Sequence, residues 1–225
     1  MSTALPGVRN ALRTVVLQGE GLMHLYGRRI GLQSIDFRVE SPGVIAVTGM
    51  NGSGQSTLLR TIAGLLRPSS GTLRVSVEGR TLDADSRRSQ IGLASPELSF
   101  YEEFSAAENL RFAAEVRGLP DPKAAVHDAL AEVGLGERAE DMVSGFSSGM
   151  KQRLRLAFAV LHRPALLLLD EPGSHLDDAG REVVRSLVER WRSNALVLVA
   201  TNDPEEMKLA TGRIELRGRR LGDTA

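Results

Sequence analysis

Gly49-Met50-Asn51-Gly52-Ser53-Gly54-Gln55-Ser56 follows an apolar run at residues 44–48 and precedes a stretch from 56 to 66 with helical spacing. A glycine-rich turn between a strand and a helix is the context that a phosphate-binding loop requires. Its glycines let main-chain N–H groups turn inward around an anion, and the helix N-terminus adds partial positive charge. The Ser56 hydroxyl is placed to ligate a divalent cation. The strict pattern asks for lysine where Gln55 stands. Taken alone, the stretch is therefore also compatible with a ligand-free glycine-rich turn, and the rest of the chain decides between the two.

Working outward from the loop, residues 15–18, 33–39 and 44–48 read as strands separated by glycine and proline. The helix behind the loop is expected to stop at Arg67-Pro68. Residues 72–77 and 90–94 read as further strands. The pattern then changes. Ser105-Ala106-Ala107-Glu108 is a capping box that opens a helix to about Arg117. Asp121-Pro122 opens another, ending at Gly134, and Ser147 with Ser148 starts a third, to about His162. Three successive helices predict a helical lobe over roughly residues 96–163. Residues 165–169 and 195–200 are continuous apolar runs of strand length, as found in strands buried on both faces. A helix at 178–192 joins them, Asp203-Pro204-Glu205-Glu206 caps another helix, and 213–217 forms a last strand. Buried strands alternating with helices predict an α/β core. Residues 1–12 read as a flexible tail and 13–220 as one domain.

Bulk composition excludes several alternatives. Lysine plus arginine equals aspartate plus glutamate at 28 each, so no net charge draws the chain to nucleic acid or an anionic membrane. The chain has no cysteine, which removes disulfides and thiolate metal sites and fits a reducing cytosol. The longest apolar runs are far too short to span a bilayer, and the N-terminus does not read as a signal peptide. Any membrane partner must then be another chain.

Four further motifs follow in order. Tyr26 lies in a Leu25-Tyr26-Gly27-Arg28 context ahead of the loop. Phe146-Ser147-Ser148-Gly149-Met150-Lys151-Gln152-Arg153 places hydroxyls and main-chain N–H groups at a helix start, an anion-binding arrangement. Asp170-Glu171-Pro172 ends an apolar strand. Ser174-His175-Leu176-Asp177 follows it. This succession resembles the ATPase domain of the ABC transporter family over about residues 13–217. The resemblance implies a P-loop ABC-type core with a small antiparallel β lobe and an inserted helical lobe, and an ATPase using ATP and Mg²⁺. It assigns Gly49, Asn51, Gly52, Gly54, Gln55, Ser56 and Thr57 to the nucleotide, Tyr26 to the adenine, and Ser56 and Asp170 to the metal. Glu171 is implied as general base. Ser147, Ser148, Gly149 and Asp177 are implied to face a nucleotide or a subunit across a dimer interface.

Within Phe146–Arg153, Ser148 and Met150 stand where the resemblance implies a glycine and a glutamine, and three positions elsewhere also depart from the family. Gln55 replaces the lysine, so a neutral donor stands where a charged one is usual, although glutamine still donates a hydrogen bond. Pro96 or Glu97 stands where a glutamine belongs. Asn202 takes the place of a histidine that orients the γ-phosphate, and its more local role would be to satisfy amides at the following helix start. Arg60 lies more than one turn beyond Gln55 and is not expected to replace the missing charge. The implied activity is an ATPase with slow or absent hydrolysis in its own site, working with a transmembrane permease subunit that docks near residues 95–104 and with a second ATP-binding subunit. Residues 100–109 are similar to stand-alone exporter-type subunits, including those of haem exporters. The implied location is cytoplasmic, on the inner face of the cell membrane, with no appended regulatory domain. A non-hydrolysing regulatory or structural subunit is the alternative. A role on DNA or ribosomes is disfavoured by the single domain and by the absence of a basic surplus.

Overall fold

The computed structural model describes residues 13–217; the expected tail and residues 218–220 of the expected domain lie outside them. The chain opens with a long hairpin, β1 (Val15–Tyr26) and β2 (Arg29–Glu40), joined at the Tyr26–Arg29 pair and closed by Gly27 at φ 63°. Both strands are longer than the sequence predicts. Gly19 and Gly21 read as a strand break, but the ladder passes them through register shifts, with Gly21 at φ 54°; a bulge absorbs what looked like punctuation. Next come β3 (Gly43–Gly49), the loop, and α1 (Gln55–Ile62). That helix stops earlier than predicted. Gly64 adopts φ 77°, and Leu65 N–H donates to the Arg60 carbonyl at 2.9 Å, a glycine-terminated end placed one turn before Pro68.

β4 (Ser70–Val77) and the short β5 (Arg80–Thr81) complete an antiparallel sheet of order β2-β1-β4-β5. α2 (Ala84–Gln90) follows, capped by Asp83, whose side chain accepts from Ser86 N–H at 2.8 Å. Sequence periodicity gives no sign of this helix, because it carries no apolar stripe. Gln90 therefore ends a helix, and β6 (Ile91–Ala94) starts one residue later than predicted. α3 (Ala106–Val116), α4 (Pro122–Glu132) and α5 (Ser148–Val160) come next. The Ser105–Glu108 capping box is formed as predicted. β7 (Leu166–Asp170), α6 (Asp178–Trp191), β8 (Leu196–Ala200), α7 (Pro204–Met207) and β9 (Gly212–Leu216) complete the described elements.

The parallel sheet runs β6-β7-β8-β3-β9 and divides two hydrophobic cores. Alternation along β7 and β8 makes the division: Leu167, Leu169, Val197 and Val199 face α3–α6, whereas Leu166, Leu168, Leu196 and Leu198 face α1 and the antiparallel sheet. Burial on both faces is why these strands are unbroken apolar runs. In this arrangement the C-terminal ends of β3, β7 and β8 open toward one another, where ligands bind in open α/β sheets.

One half-buried histidine behind α5 makes stability depend on pH. His162 Nε2 donates to the Ile91 carbonyl at 3.2 Å, while buried Nδ1 has no described partner. Burial, with the Arg117 charge as the next cause, pushes its pKa down from 6.5 to about 4. The folded protein therefore resists protonation that the unfolded chain accepts. The resulting stability is complete above pH 6.5 and is lost as pH falls toward 4. Linkage gives a loss of about 2 kcal/mol between pH 7.5 and 5. His162→Gln keeps a donor for Ile91 and removes the titration, so thermal unfolding of this variant is expected to show a flatter acid limb than wild type. Equal acid slopes would remove His162 from the account.

Candidate nucleotide site at the C-terminal edge of the parallel sheet

The loop after β3 is held open by its own conformation. Gly52 and Gly54 lie at φ 81° and 103°, a region that L side chains avoid. A Cβ on Gly54 would stand 2.5 Å from the Gly31 carbonyl oxygen, so no larger residue fits there without moving the hairpin. α1 starts at Gln55 with no side-chain cap, which leaves its first N–H groups free for an anion. The Ser53 hydroxyl is buried beside them with no described partner. A concave run of unsatisfied donors at a helix start fits a phosphate chain.

Two acidic positions approach from β7. Ser56 Oγ donates to Asp170 Oδ1 at 3.1 Å. Burial pushes the Asp170 carboxyl up, the Ser56 bond opposes this, and the neighbouring Glu171 charge adds to the rise. A hydroxyl and a carboxylate paired in this way are oxygen donors of the kind Mg²⁺ takes alongside phosphates; no cluster of three or more metal-ligating side chains occurs among the described residues. Glu171 is exposed and sits at φ 48°. Its N–H donates to the Ala200 carbonyl of β8 at 2.9 Å, and its carbonyl accepts from Ser174 N–H at 3.1 Å. A non-glycine residue stays in that conformation only when its surroundings hold it there.

Gln55 and Asn202 meet. Gln55 Nε2 donates to the Val47 carbonyl at 3.0 Å and to Asn202 Oδ1 at 3.5 Å, and Asn202 Nδ2 donates to Asn51 Oδ1 at 3.3 Å. Both hydrogens of the Gln55 amide thus have acceptors within the protein, one half-buried and one exposed. The glutamine expected to donate to phosphate is already engaged. The local capping role anticipated for Asn202 belongs to its neighbour: Asp203 Oδ1 accepts from Glu205 N–H at 2.8 Å, which leaves Asn202 facing the loop. Arg60 does not stand in for lysine, because its guanidinium pairs with Glu97 at 2.6 Å.

A cavity of about 250 Å³ beside this amide chain is lined in part by Asn51, Glu171, Ser174, Asn202 and Glu206. Sequence reasoning missed Glu206, whose carboxyl is pushed up by burial and accepts from the Thr201 hydroxyl and Gly173 N–H. The available signal was a third acidic residue in the Asp203–Glu206 stretch. A larger cavity of about 500 Å³ lies between β2 and β9, and of the loop only Ser53 reaches it.

The fold thus gathers Gly49, Asn51, Gly52, Gly54, Gln55, Ser56, Thr57, Asp170, Glu171 and Asn202. Tyr26 is 43% exposed, packs edge-on against His24 with ring centres 4.6 Å apart, and brings its hydroxyl to 3.5 Å from Thr57 Oγ1. The remaining candidates form a separate group. Ser147 caps α5 through Met150 N–H at 3.2 Å, and Asp177 caps α6 through Gly180 N–H at 2.8 Å. Ser148 is exposed, and Gly149 lies against Leu176 and the His175 carbonyl. No described hydrogen bond joins this group to the loop.

The family described as ABC transporter matches residues 32–174. YxlF of Bacillus subtilis, an ABC transporter ATP-binding protein, is 38% identical over 189 residues, covering 83% of this chain and 62% of YxlF. The linearmycin resistance ATP-binding protein LnrL of the same organism is 30% identical over 202 residues, 88% of this chain and 65% of LnrL. The chain therefore spans under two thirds of the length of either relative. A dimeric, post-hydrolysis structure of the ATP-binding cassette MJ0796 with ADP and Pi superposes with a TM-score of 0.79 at 21% identity, covering 91% of this chain and 97% of that one. The family match takes in more than half of the chain, and the cassette superposes over most of it: this protein belongs to the ABC transporter family and has the fold of its P-loop ATPase cassette.

Proposed function

We propose that the chain is the ATP-binding subunit of an ABC transporter, coupling ATP binding and hydrolysis to transport through a separate membrane subunit, with hydrolysis slowed in its own site. In this reading residues 13–220 form one ATPase domain with a helical lobe at about 96–163. The observation that carries the reading is the Gln55–Asn202–Asn51 amide chain beside an otherwise intact phosphate loop. Main-chain N–H groups from Gly49 to Thr57 hold the phosphates, and the Tyr26 ring meets the adenine. Ser56 and Asp170 would hold Mg²⁺, which offsets phosphate charge when bound. Glu171 takes the proton of the attacking water. Positive charge aimed at the developing phosphoryl charge is a large share of such catalysis, and the neutral amides of Gln55 and Asn202 do not supply it.

Ser147, Ser148, Gly149 and Asp177 complete a site across a dimer with a second ATP-binding subunit. The separate placement of this group supports that role, because residues serving a partner's nucleotide have no reason to approach their own loop. The same placement supports the alternative of a non-hydrolysing subunit whose ATP-dependent pairing is the output. No helix among the described residues is long and apolar enough to cross a membrane, so attachment to the inner face of the cell membrane would come through the permease. Affinity purification of the tagged chain from its own cells is expected to recover a multi-span membrane protein in stoichiometric amount. Recovery of ribosomes or DNA instead would overturn the transporter reading.

A further inference from the structure

Two polar side chains one turn apart on α5, Gln152 and Arg155, link the main chain of Glu171 to the turn after β6. Gln152 is 3% exposed. Its Nε2 donates to the Glu171 carbonyl at 3.3 Å and to the Pro172 carbonyl at 3.2 Å, so both amide hydrogens lie on the two residues that leave β7. Its Oε1 accepts from Arg155 NH1 at 3.1 Å, and Arg155 Nε donates to the Leu98 carbonyl at 2.9 Å. Burial pulls the Arg155 pKa down, and the described ion pairs give it no carboxylate. The guanidinium thus spends its donors on a side-chain amide oxygen and a main-chain carbonyl, a use that fixes positions more than it balances charge. Leu98 closes the turn after β6, its N–H donating to the Ser95 carbonyl at 3.0 Å.

The chain of bonds therefore begins at the turn after β6 and ends on the main chain of Glu171. A buried glutamine is costly unless its groups are bonded, and Gln152 meets that requirement by tying one end of the path to the other. Glu171 needs such support, given its left-handed backbone. In the segment after β6, Glu97 is occupied by Arg60. We infer that Gln152 and Arg155 are positioning residues, a relay that sets the Glu171 backbone from the segment 95–104 and carries displacement of either end to the other. The inference rests on the chain binding nucleotide, as proposed above.

Hydrogen–deuterium exchange of the full chain with and without saturating Mg·ATP tests both, because residues 49–57 report binding and 95–104 report the relay. Wild type is expected to gain protection in both segments. Gln152→Leu, which keeps volume and removes the donors, should keep the gain at 49–57 and lose that at 95–104. Arg155→Ala should behave in the same way, and Arg155→Lys, which can still donate to Leu98, should restore much of the response. Without nucleotide, exchange at Leu98 in Gln152→Leu should rise about fivefold, the effect of one lost hydrogen bond. A full response at 95–104 in Gln152→Leu, or none in wild type while 49–57 is protected, overturns the relay. No protection at 49–57 in wild type overturns nucleotide binding instead; the apo exchange rate then decides the relay, and an unchanged Leu98 rate in Gln152→Leu overturns it.

Discussion

Replacing Gln55 with lysine and Asn202 with histidine together is expected to raise Mg·ATP turnover by about two orders of magnitude, the size of effect seen when one preorganised charge-stabilising donor is lost or restored. Neither single change should achieve this. In Gln55→Lys alone, the ammonium meets the Val47 carbonyl and Asn202 Oδ1, the two acceptors that hold the native amide, and is drawn toward them. In Asn202→His alone, Gln55 keeps its bond to Val47 and still carries no charge. Residues that share hydrogen bonds are not additive, so the double variant should exceed the product of the singles. Phosphate release by the purified chain measures it. Wild-type turnover equal to that of the double variant would contradict an impaired site.

In the double-variant background, Glu171→Gln is expected to lower turnover by a factor of about 10²–10⁴, the usual contribution of a general base. Affinity for Mg·ATP should hardly change, because Glu171 directs no described side-chain bond at the loop. The variant keeps the backbone bonds from Glu171 to Ala200 and Ser174; it loses the proton acceptor and with it the charge that helps raise the Asp170 carboxyl. If turnover fell by less than tenfold, the base would have to be sought elsewhere in the cavity, with Glu206 the first candidate.

Much of this architecture was legible in the sequence, for identifiable reasons. Burial of β7 and β8 on both faces leaves runs such as Leu166–Asp170 and Leu196–Ala200 with almost no polar interruption. The Ser105 and Asp121 caps announce α3 and α4 at the residue level. What was hidden depended on partners distant in the chain. α2 carries no apolar stripe, and the β1–β2 hairpin continues through glycines because β4 pairs along the same stretch. Gln55 and Asn202 were legible as two separate departures. That they bond to each other, 147 residues apart in sequence, follows only from β3 and β8 being neighbours in the sheet. The same holds for Gln152, whose helical position says nothing of the Glu171 carbonyl it reaches.

Calorimetric titration of the purified wild-type chain with Mg·ATP addresses the central claim, that the loop between β3 and α1 holds a triphosphate through main-chain N–H groups without a lysine. Saturable binding is predicted, about tenfold weaker than for the Gln55→Lys, Asn202→His variant, as expected when one charge-assisted bond is absent. No uptake at millimolar Mg·ATP, by a folded chain alone or with its cognate subunit, would contradict it.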